Sequence, residues 1–307
     1  MGVRTDERGL TYGGGWLDRA GDRRADPDWI AARLAEPGSV LVPLWRDRCL
    51  VAADRTPVRV DVAAAAELLA AAGQTVFLGL DAGTAVFAVD LSPSTEAAAL
   101  ALAGAVETVD VRAVVGGLEP ADAAVQAYAR GLLHWHRGQR YCGGCGAATE
   151  ARDGGHSRFC TGCDRLTFPR IEPAVIVLVQ APDAPDRCLL ARHGGARSDS
   201  WSTLAGFVEV GESLEDAVRR EMAEEAGVTV TDLAYQGSQA WPFPAGLMVA
   251  FRATATSEEV RVDGEELVEA RWFTRAELRA RVAQGRPLGR IDSIDRHLLG
   301  TWLAAGD

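Results

Sequence analysis

The run Arg220-Glu221-Met222-Ala223-Glu224-Glu225 concentrates four ionisable side chains in six residues. At about 100° per residue, Glu221, Glu224 and Glu225 fall within a sector of roughly 100° on one helix face. Three carboxylates that close repel one another and destabilise an unpartnered helix. Hard divalent cations such as Mg2+ or Mn2+ take oxygen ligands and remove that repulsion. Val218, Met222 and Ala226 form an adjoining apolar stripe that anchors the helix and turns the carboxylates outward. Arg220 can pair with Glu212 of the preceding loop, Gly206 allows that loop to turn tightly, and Gly227 ends the helix. A Glu-rich helix is ordinarily a solvated charged face. Here the stretch comes with Gly206, Glu212, Arg220 and Gly227 at set distances.

Cys142-Gly-Gly-Cys145 and Cys160-Thr-Gly-Cys163 are two C-x-x-C turns separated by 14 residues. Two thiolates from each turn close a tetrahedral Zn2+ site, and the glycines let backbone N–H groups point at the sulfurs. Four thiolates leave no open coordination position, so one structural zinc per chain is expected. Metal binding would fold a segment too short for a core of its own. A pair of redox dithiols is the alternative. His156, between the two turns, is expected at the surface rather than as a ligand. Cys49 and Cys188 stand in apolar strands and read as core residues.

The elements that must position these groups follow from local pattern. Ala174–Gln180, Cys188–Arg192, Leu204–Val210, Val228–Tyr235, Leu247–Thr254 and Leu267–Phe273 read as strands, with residues 181–186 as a loop. Leu214–Ala226 and Arg275–Ala283 read as helices behind the capping signatures Ser213-x-x-Asp216 and Thr274-x-x-Glu277, and a last helix spans Ile294–Leu303. Earlier, Val40–Trp45 and Cys49–Val51 read as strands around an Arg46–Arg48 turn. Residues 76–80 and 85–89 form a hairpin around 81–84, and Pro120–Arg137 reads as a helix. No internal repeat is evident. The expected division is an N-terminal α/β domain over 1–139, a zinc ribbon over 140–165 and a third domain over 166–307.

Composition narrows the classes. The chain has 307 residues, 48% hydrophobic, which excludes global disorder. Its net charge of -11 argues against a strong electrostatic nucleic-acid footprint. All 32 basic residues are Arg, so any side-chain grip on phosphate must come from guanidinium groups. No apolar run reaches the roughly 18–20 residues of a membrane span, and the first 16 residues hold no secretory apolar core. Paired cysteines in a chain of this size indicate a reducing, cytoplasmic compartment.

The stretch Gly206–Val228 matches at every position the signature G-x5-E-x7-R-E-U-x-E-E-x-G-U, and the chain thereby resembles the Nudix hydrolases. The resemblance implies an α/β/α sandwich, with hydrolysis of a nucleoside diphosphate linked to another group. It makes Glu221, Glu224 and Glu225 ligands of divalent metal ions. One carboxylate, or a water on the metal, would activate the nucleophile. Downstream, Ser238-Gln239-Ala240-Trp241-Pro242-Phe243-Pro244 is similar to the S-Q-x-W-P-F-P element of the NADH pyrophosphatase subfamily, which also carries a four-Cys ribbon. Leu17-Asp18-Arg19, Phe77-Leu78-Gly79 and Leu133-His134-Trp135-His136 look like that subfamily too.

What this implies is a homodimer that splits NADH or NAD+ into AMP and nicotinamide mononucleotide. Phe207 is the implied base-stacking aromatic and Glu266 a further metal-binding acid. Gln239, Trp241, Phe243 and Phe168 line the substrate. The sequence departs from the subfamily at Phe168 (commonly Tyr), Ala240 (often Pro), Ala245 and Gly246 (usually a polar residue then Ser) and Asp295 (normally small and apolar). These leave reaction type intact and substrate identity open. Removal of NAD caps from RNA is the second reading. A modified dinucleotide, ADP-ribose and a non-catalytic nucleotide sensor are the others.

Overall fold

In the computed structural model, residues 10–14, 17–195, 199–262, 264–286 and 288–305 are described. Much of the N-terminal stretch read above as lacking a secretory core lies outside them. The chain divides into two compact units. One comprises 1–170 together with 242–245, the other 171–241 together with 246–307.

The first unit runs α1 (Pro27–Ala35), β1 (Val40–Trp45), β2 (Arg48–Val51), β3 (Val60–Asp61), α2 (Ala66–Ala70), β4 (Gln74–Asp81), β5 (Thr84–Asp90), α3 (Glu96–Ala103), β6 (Glu107–Val109), α4 (Val111–Val114) and α5 (Pro120–Gly138). Its sheet has the order β4-β5-β1-β2-β6, with β3 on β1; only β1 and β5 are parallel. Side chains alternate across the sheet. Leu41, Phe77, Phe87 and Val89 pack with Leu68 and Ala99. Val42, Leu44, Val76, Leu78 and Val86 pack with Val125, Ala129, Leu132 and Leu133 of α5. Both faces are therefore covered by helices. The unit continues into β7 (Thr149–Arg152), β8 (Ser157–Cys160) and β9 (Leu166–Thr167), a three-stranded antiparallel sheet.

The second unit holds β10 (Glu172–Ala181), β11 (Ala184–His193), β12 (Leu204–Phe207), α6 (Leu214–Ala226), β13 (Val230–Trp241), β14 (Gly246–Ala255), β15 (Leu267–Thr274), α7 (Arg275–Ala283) and α8 (Ile294–Ala304). Its sheet has the order β13-β14-β10-β11-β15, with β12 on β10. Val175, Val177 and Val179 pack with Ala217, Val218, Met222 and Ala226 of α6. The intervening Ile176 and Leu178 are also buried, on the opposite face. There α8 lies against β10, β13 and β14.

Strand for strand, the two sheets have the same order and the same single parallel pair, which corrects the expectation of no internal repeat. A short sequence echo accompanies it: Asp47-Arg48-Cys49-Leu50 leads into β2 and Asp186-Arg187-Cys188-Leu189 lies in β11. Each cysteine faces the last strand, Cys49 opposite Val109 and Cys188 opposite Phe273. Both are buried as expected, and burial pushes each thiol up to about 12. The helix that follows the third strand differs most. In the second unit it is α6; in the first it is α2, five residues with one carboxylate, Glu67.

Three strand expectations need correction. Residues 181–186 are not a loop, because Asp183 takes a positive φ of 55° and closes a tight hairpin from β10 to β11. The third strand ends at Phe207, not Val210, since side chains beyond it capture the backbone. The fourth continues from Val230 to Trp241, taking Ser238–Trp241 into the sheet against β14.

Candidate functional site

Helix α6 begins where Ser213 and Asp216 bond reciprocally: the Asp216 N–H donates to Ser213 Oγ at 3.1 Å and the Ser213 N–H to Asp216 Oδ2 at 3.4 Å. It ends at Gly227, left-handed at φ 66°. Ala217, Val218, Met222 and Ala226 are fully buried, so the helix is fixed in rotation. Glu221 and Glu225 lie at the edge of that face, only 8% and 5% exposed, and Glu224 projects outward.

Arg220 organises the cluster. Its Nε and Nη2 donate to Glu212 Oε1 and Oε2 at 2.6 and 2.9 Å. Its Nη1 donates to Glu221 Oε1 at 2.9 Å and Glu224 Oε2 at 3.0 Å. Nη2 also reaches the Phe207 carbonyl at 2.8 Å. Glu212 in turn accepts the Glu209 N–H at 2.9 Å. The Val208 N–H still donates to the Pro173 carbonyl of β10 at 3.0 Å, and beyond it the loop is tied to the helix. The bond from Arg220 holds the Glu212 carboxyl down at about 2. Glu221 moves the other way. Its burial raises its pKa, Arg220 offsets part of this, and the charges of Glu224 and Glu266 raise it further.

The residues fit a divalent cation. The donors are all carboxylate oxygens, which suit hard ions. Gly206 forms a cradle that a Cβ would fill: built there, it would lie 1.8 Å from Glu221 Cδ. Burial and neighbouring negative charge disfavour the Glu221 carboxylate, a cost that a cation relieves. The backbone of Glu266 is held by Gly194, whose N–H donates to its carbonyl at 2.9 Å. In this structure Arg220 bonds Glu221 and Glu224. Among the described residues, the one group of His, Cys, Asp or Glu ligand atoms gathered within 4.8 Å is the cysteine quartet.

That quartet fits zinc. With Zn–S near 2.3 Å, tetrahedral geometry requires sulfurs about 3.8 Å apart. Cys142 and Cys163 Sγ are 3.7 Å apart, and Cys145 and Cys160 Sγ 3.4 Å apart. The Gly144 and Gly162 N–H groups donate to Cys142 and Cys160 Sγ, each at 3.4 Å. Those bonds lower both thiols, Cys142 to about 6, towards the thiolate form a metal needs.

His156 departs from the expectation of a surface residue. It is half-buried and its Nε2 bonds the Phe77 carbonyl at 2.7 Å, latching the ribbon to β4. His136 adds a second latch, Nε2 to the Gly155 carbonyl at 2.7 Å, with Arg158 Nη1 donating to its Nδ1 at 2.8 Å.

The expected substrate residues are distributed over both units. Phe207, 62% exposed, ends β12 beside the carboxylate cluster. Gln239 is 1% exposed, and its amide serves main chain: Nε2 donates to the Asp292 carbonyl at 2.8 Å and Oε1 accepts the Ile294 N–H at 2.7 Å. Trp241 closes β13 and is half-buried. Phe243 and Phe168 belong to the first unit. The Phe243 ring meets Tyr12 edge-on at 5.1 Å, with the Arg112 and Arg130 guanidinium groups each 4.9 Å from its centroid. Phe168 is exposed. Two features went unread in the sequence, the Gly206–Glu221 contact and the buried Asp295–Thr203 pair. An acid two residues after Ser293, at the position normally small and apolar, is the sequence signal for the second.

An acidic helix packed under a mixed sheet, with an arginine holding the preceding loop, defines a Nudix domain, and a NUDIX domain family model matches residues 170–290. Models of an NADH pyrophosphatase-like rudimentary NUDIX domain and an NADH pyrophosphatase zinc ribbon match residues 38–135 and 137–168. The NAD-capped RNA hydrolase NudC of Mycobacterium tuberculosis is 41% identical over 278 residues, covering 88% of this chain and 85% of that one. The chain belongs to the Nudix hydrolase family, in its NADH pyrophosphatase branch with a zinc ribbon. Human NAD-capped RNA hydrolase NUDT12 is 40% identical over 177 residues, covering 55% of this chain but only 38% of its own length. A solved NUDIX hydrolase from Nitrosomonas europaea aligns with a TM-score of 0.42 at 20% identity, over 54% of this chain and 91% of that one.

Proposed function

We propose that the protein hydrolyses the pyrophosphate of NADH or NAD+ to AMP and nicotinamide mononucleotide. The observation that carries this reading is the Arg220-centred cluster, which joins Glu212, Glu221, Glu224 and the Phe207 carbonyl. Glu221 and Glu224 of this cluster, with Glu225 and Glu266, would hold Mg2+ or Mn2+. The ions, when bound, neutralise the pyrophosphate and lower the pKa of water. Arg220 and Glu212 fix the loop, and Gly206 makes room for the Glu221 carboxylate. The exposed Phe207 ring stacks a base of the dinucleotide. Gln239, Trp241, Phe243 and Phe168 are proposed as substrate-binding residues, with the Gln239 amide also holding the main chain at Asp292 and Ile294. The zinc is structural.

Removal of NAD caps from RNA by the same site is the second reading, supported by the likeness to the mycobacterial NAD-capped RNA hydrolase. The net charge of -11 favours a short or locally held RNA over a long electrostatic footprint. We further propose a division at 1–139, 140–165 and 166–307, a homodimer and a cytoplasmic location. Among the described residues no helix is long and apolar enough to cross a membrane.

The test is a product assay with NADH, NAD+, ADP-ribose and NAD-capped RNA in separate reactions with Mg2+ or Mn2+. AMP from the dinucleotides supports the first reading. Turnover of capped RNA alone supports the second. No product from any substrate contradicts both.

A further inference from the structure

Helix α8 carries a buried acid near its start. Asp295, 5% exposed, is its second residue, and its Oδ1 accepts two bonds from one partner: the Thr203 N–H at 3.1 Å and the Thr203 hydroxyl at 2.7 Å. Its other oxygen rests on Gly289, where a Cβ would stand 2.3 Å from Oδ2. A carboxylate in such a place is costly without partners, and the positive end of α8 together with Thr203 supplies them. Burial raises the Asp295 carboxyl, and the Thr203 bonds pull it part of the way back.

Thr203 is also buried and immediately precedes β12. That strand is four residues long and pairs with β10 from Leu204 opposite Val177 to Phe207 opposite Ala174. Only two extended residues, Leu204 and Ala205, separate Thr203 from Gly206, so a shift at one end reaches the other with little slack. Gln239 holds the same helix start to β13 through Ile294 and Asp292. The start of α8 is therefore clamped to two strands, and one of them carries Gly206 and Phe207.

We propose that Asp295 is a positioning residue for the hydrolytic site: its carboxylate pins the start of β12 and so holds Gly206 against Glu221. The kinetic part of the test rests on the dinucleotide-hydrolase reading; the exchange part does not.

The experiment compares wild type, Asp295→Ala, Asp295→Asn and Thr203→Val for kcat and KM with NADH, melting temperature, and amide exchange over residues 204–207. The expected result for Asp295→Ala and Thr203→Val is a kcat lowered about tenfold with KM within about twofold, and faster exchange in β12. Asp295→Asn keeps an acceptor oxygen and is expected to restore kcat to within about threefold of wild type. Folded Asp295→Ala with wild-type kcat and wild-type exchange overturns the proposal. So does Asp295→Asn matching Asp295→Ala. If Asp295→Ala does not fold, Thr203→Val decides by the same criteria. An inactive wild type contradicts the hydrolase reading alone, and exchange in β12 still decides the pin.

Discussion

Gly206 lies flush against the carboxyl group of Glu221, so close that a Cβ on residue 206 would stand 1.8 Å from Glu221 Cδ and 2.0 Å from Oε1. The requirement for glycine here is one of space. Gly206→Ala must displace either the short strand β12 or the glutamate. Misplacement of a reacting group by about 1 Å costs on the order of 100-fold in rate. We expect a soluble Gly206→Ala protein with kcat lowered by about that factor, measured with NADH. Near-normal turnover would show that Glu221 does not need its observed position.

Arg220 makes five bonds with a geometry that lysine does not reproduce. Arg220→Lys keeps the charge and loses the fork on Glu212. The expected outcome is a rate lowered at least about tenfold. The Glu212 carboxyl should also return towards its ordinary value, read by carbon NMR of the side chain. In wild type the Arg220 bond holds that carboxyl down at about 2, against 4.5 for the free group. Its stabilising contribution is present above pH 4.5 and is lost as pH falls towards 2.

The ribbon latch makes a different pH dependence. Burial holds His136 and His156 down at about 4, against 6.5 for the free side chain. In the unfolded chain each binds its proton near 6.5, in the fold only near 4. The unfolded state therefore binds more protons in that window, and stability falls as pH drops from about 6.5 to about 4. The slope is on the order of 1 kcal/mol per pH unit for each histidine. Denaturant unfolding at several pH values measures it, and His136→Gln should flatten it. A slope unchanged by that substitution would exclude His136 as a source.

Much of the second unit is legible in the sequence. Helices α6 and α7 start and stop at the expected residues, because their capping boxes and apolar spacing agree. That Glu221, Glu224 and Glu225 share one side follows from helical geometry, but only Glu224 is turned outward as expected; Glu221 and Glu225 are buried at the edge of the apolar face. The Gly206–Glu221 contact does not, because it joins a strand to a helix across a loop whose path depends on Arg220. Gln239 reads from its motif as a substrate residue, yet both ends of its amide bond main chain at α8, a long-range pairing that no local pattern encodes. In the first unit, β3 has two residues and α2 five, too short to show a period. The repeat was present in Asp47–Leu50 and Asp186–Leu189, but four residues are too few to stand out without the matching strand order.

The zinc ribbon is expected to be structural for the first unit. Cys160→Ser should lower zinc from one per chain towards zero, measured by metal analysis of the purified protein. It should also lower the melting temperature, since the ribbon turn at Gly155 and His156 is bonded to α5 and β4. Turnover per folded molecule at low temperature should remain within about threefold, because a four-thiolate site has no open position for chemistry. Full loss of turnover in folded, zinc-free protein would place the ribbon in the reaction.

If carboxylates of α6 support metal-dependent cleavage of a dinucleotide pyrophosphate, AMP release from NADH must depend on both the metal and those carboxylates. Release is measured against Mg2+ or Mn2+ concentration for wild type and Glu225→Gln. We predict saturable, chelator-reversible AMP release by wild type and a rate lowered at least about 100-fold in the variant at every metal concentration. Equal metal-dependent rates in the two proteins, or AMP release that ignores the metal, would contradict the account.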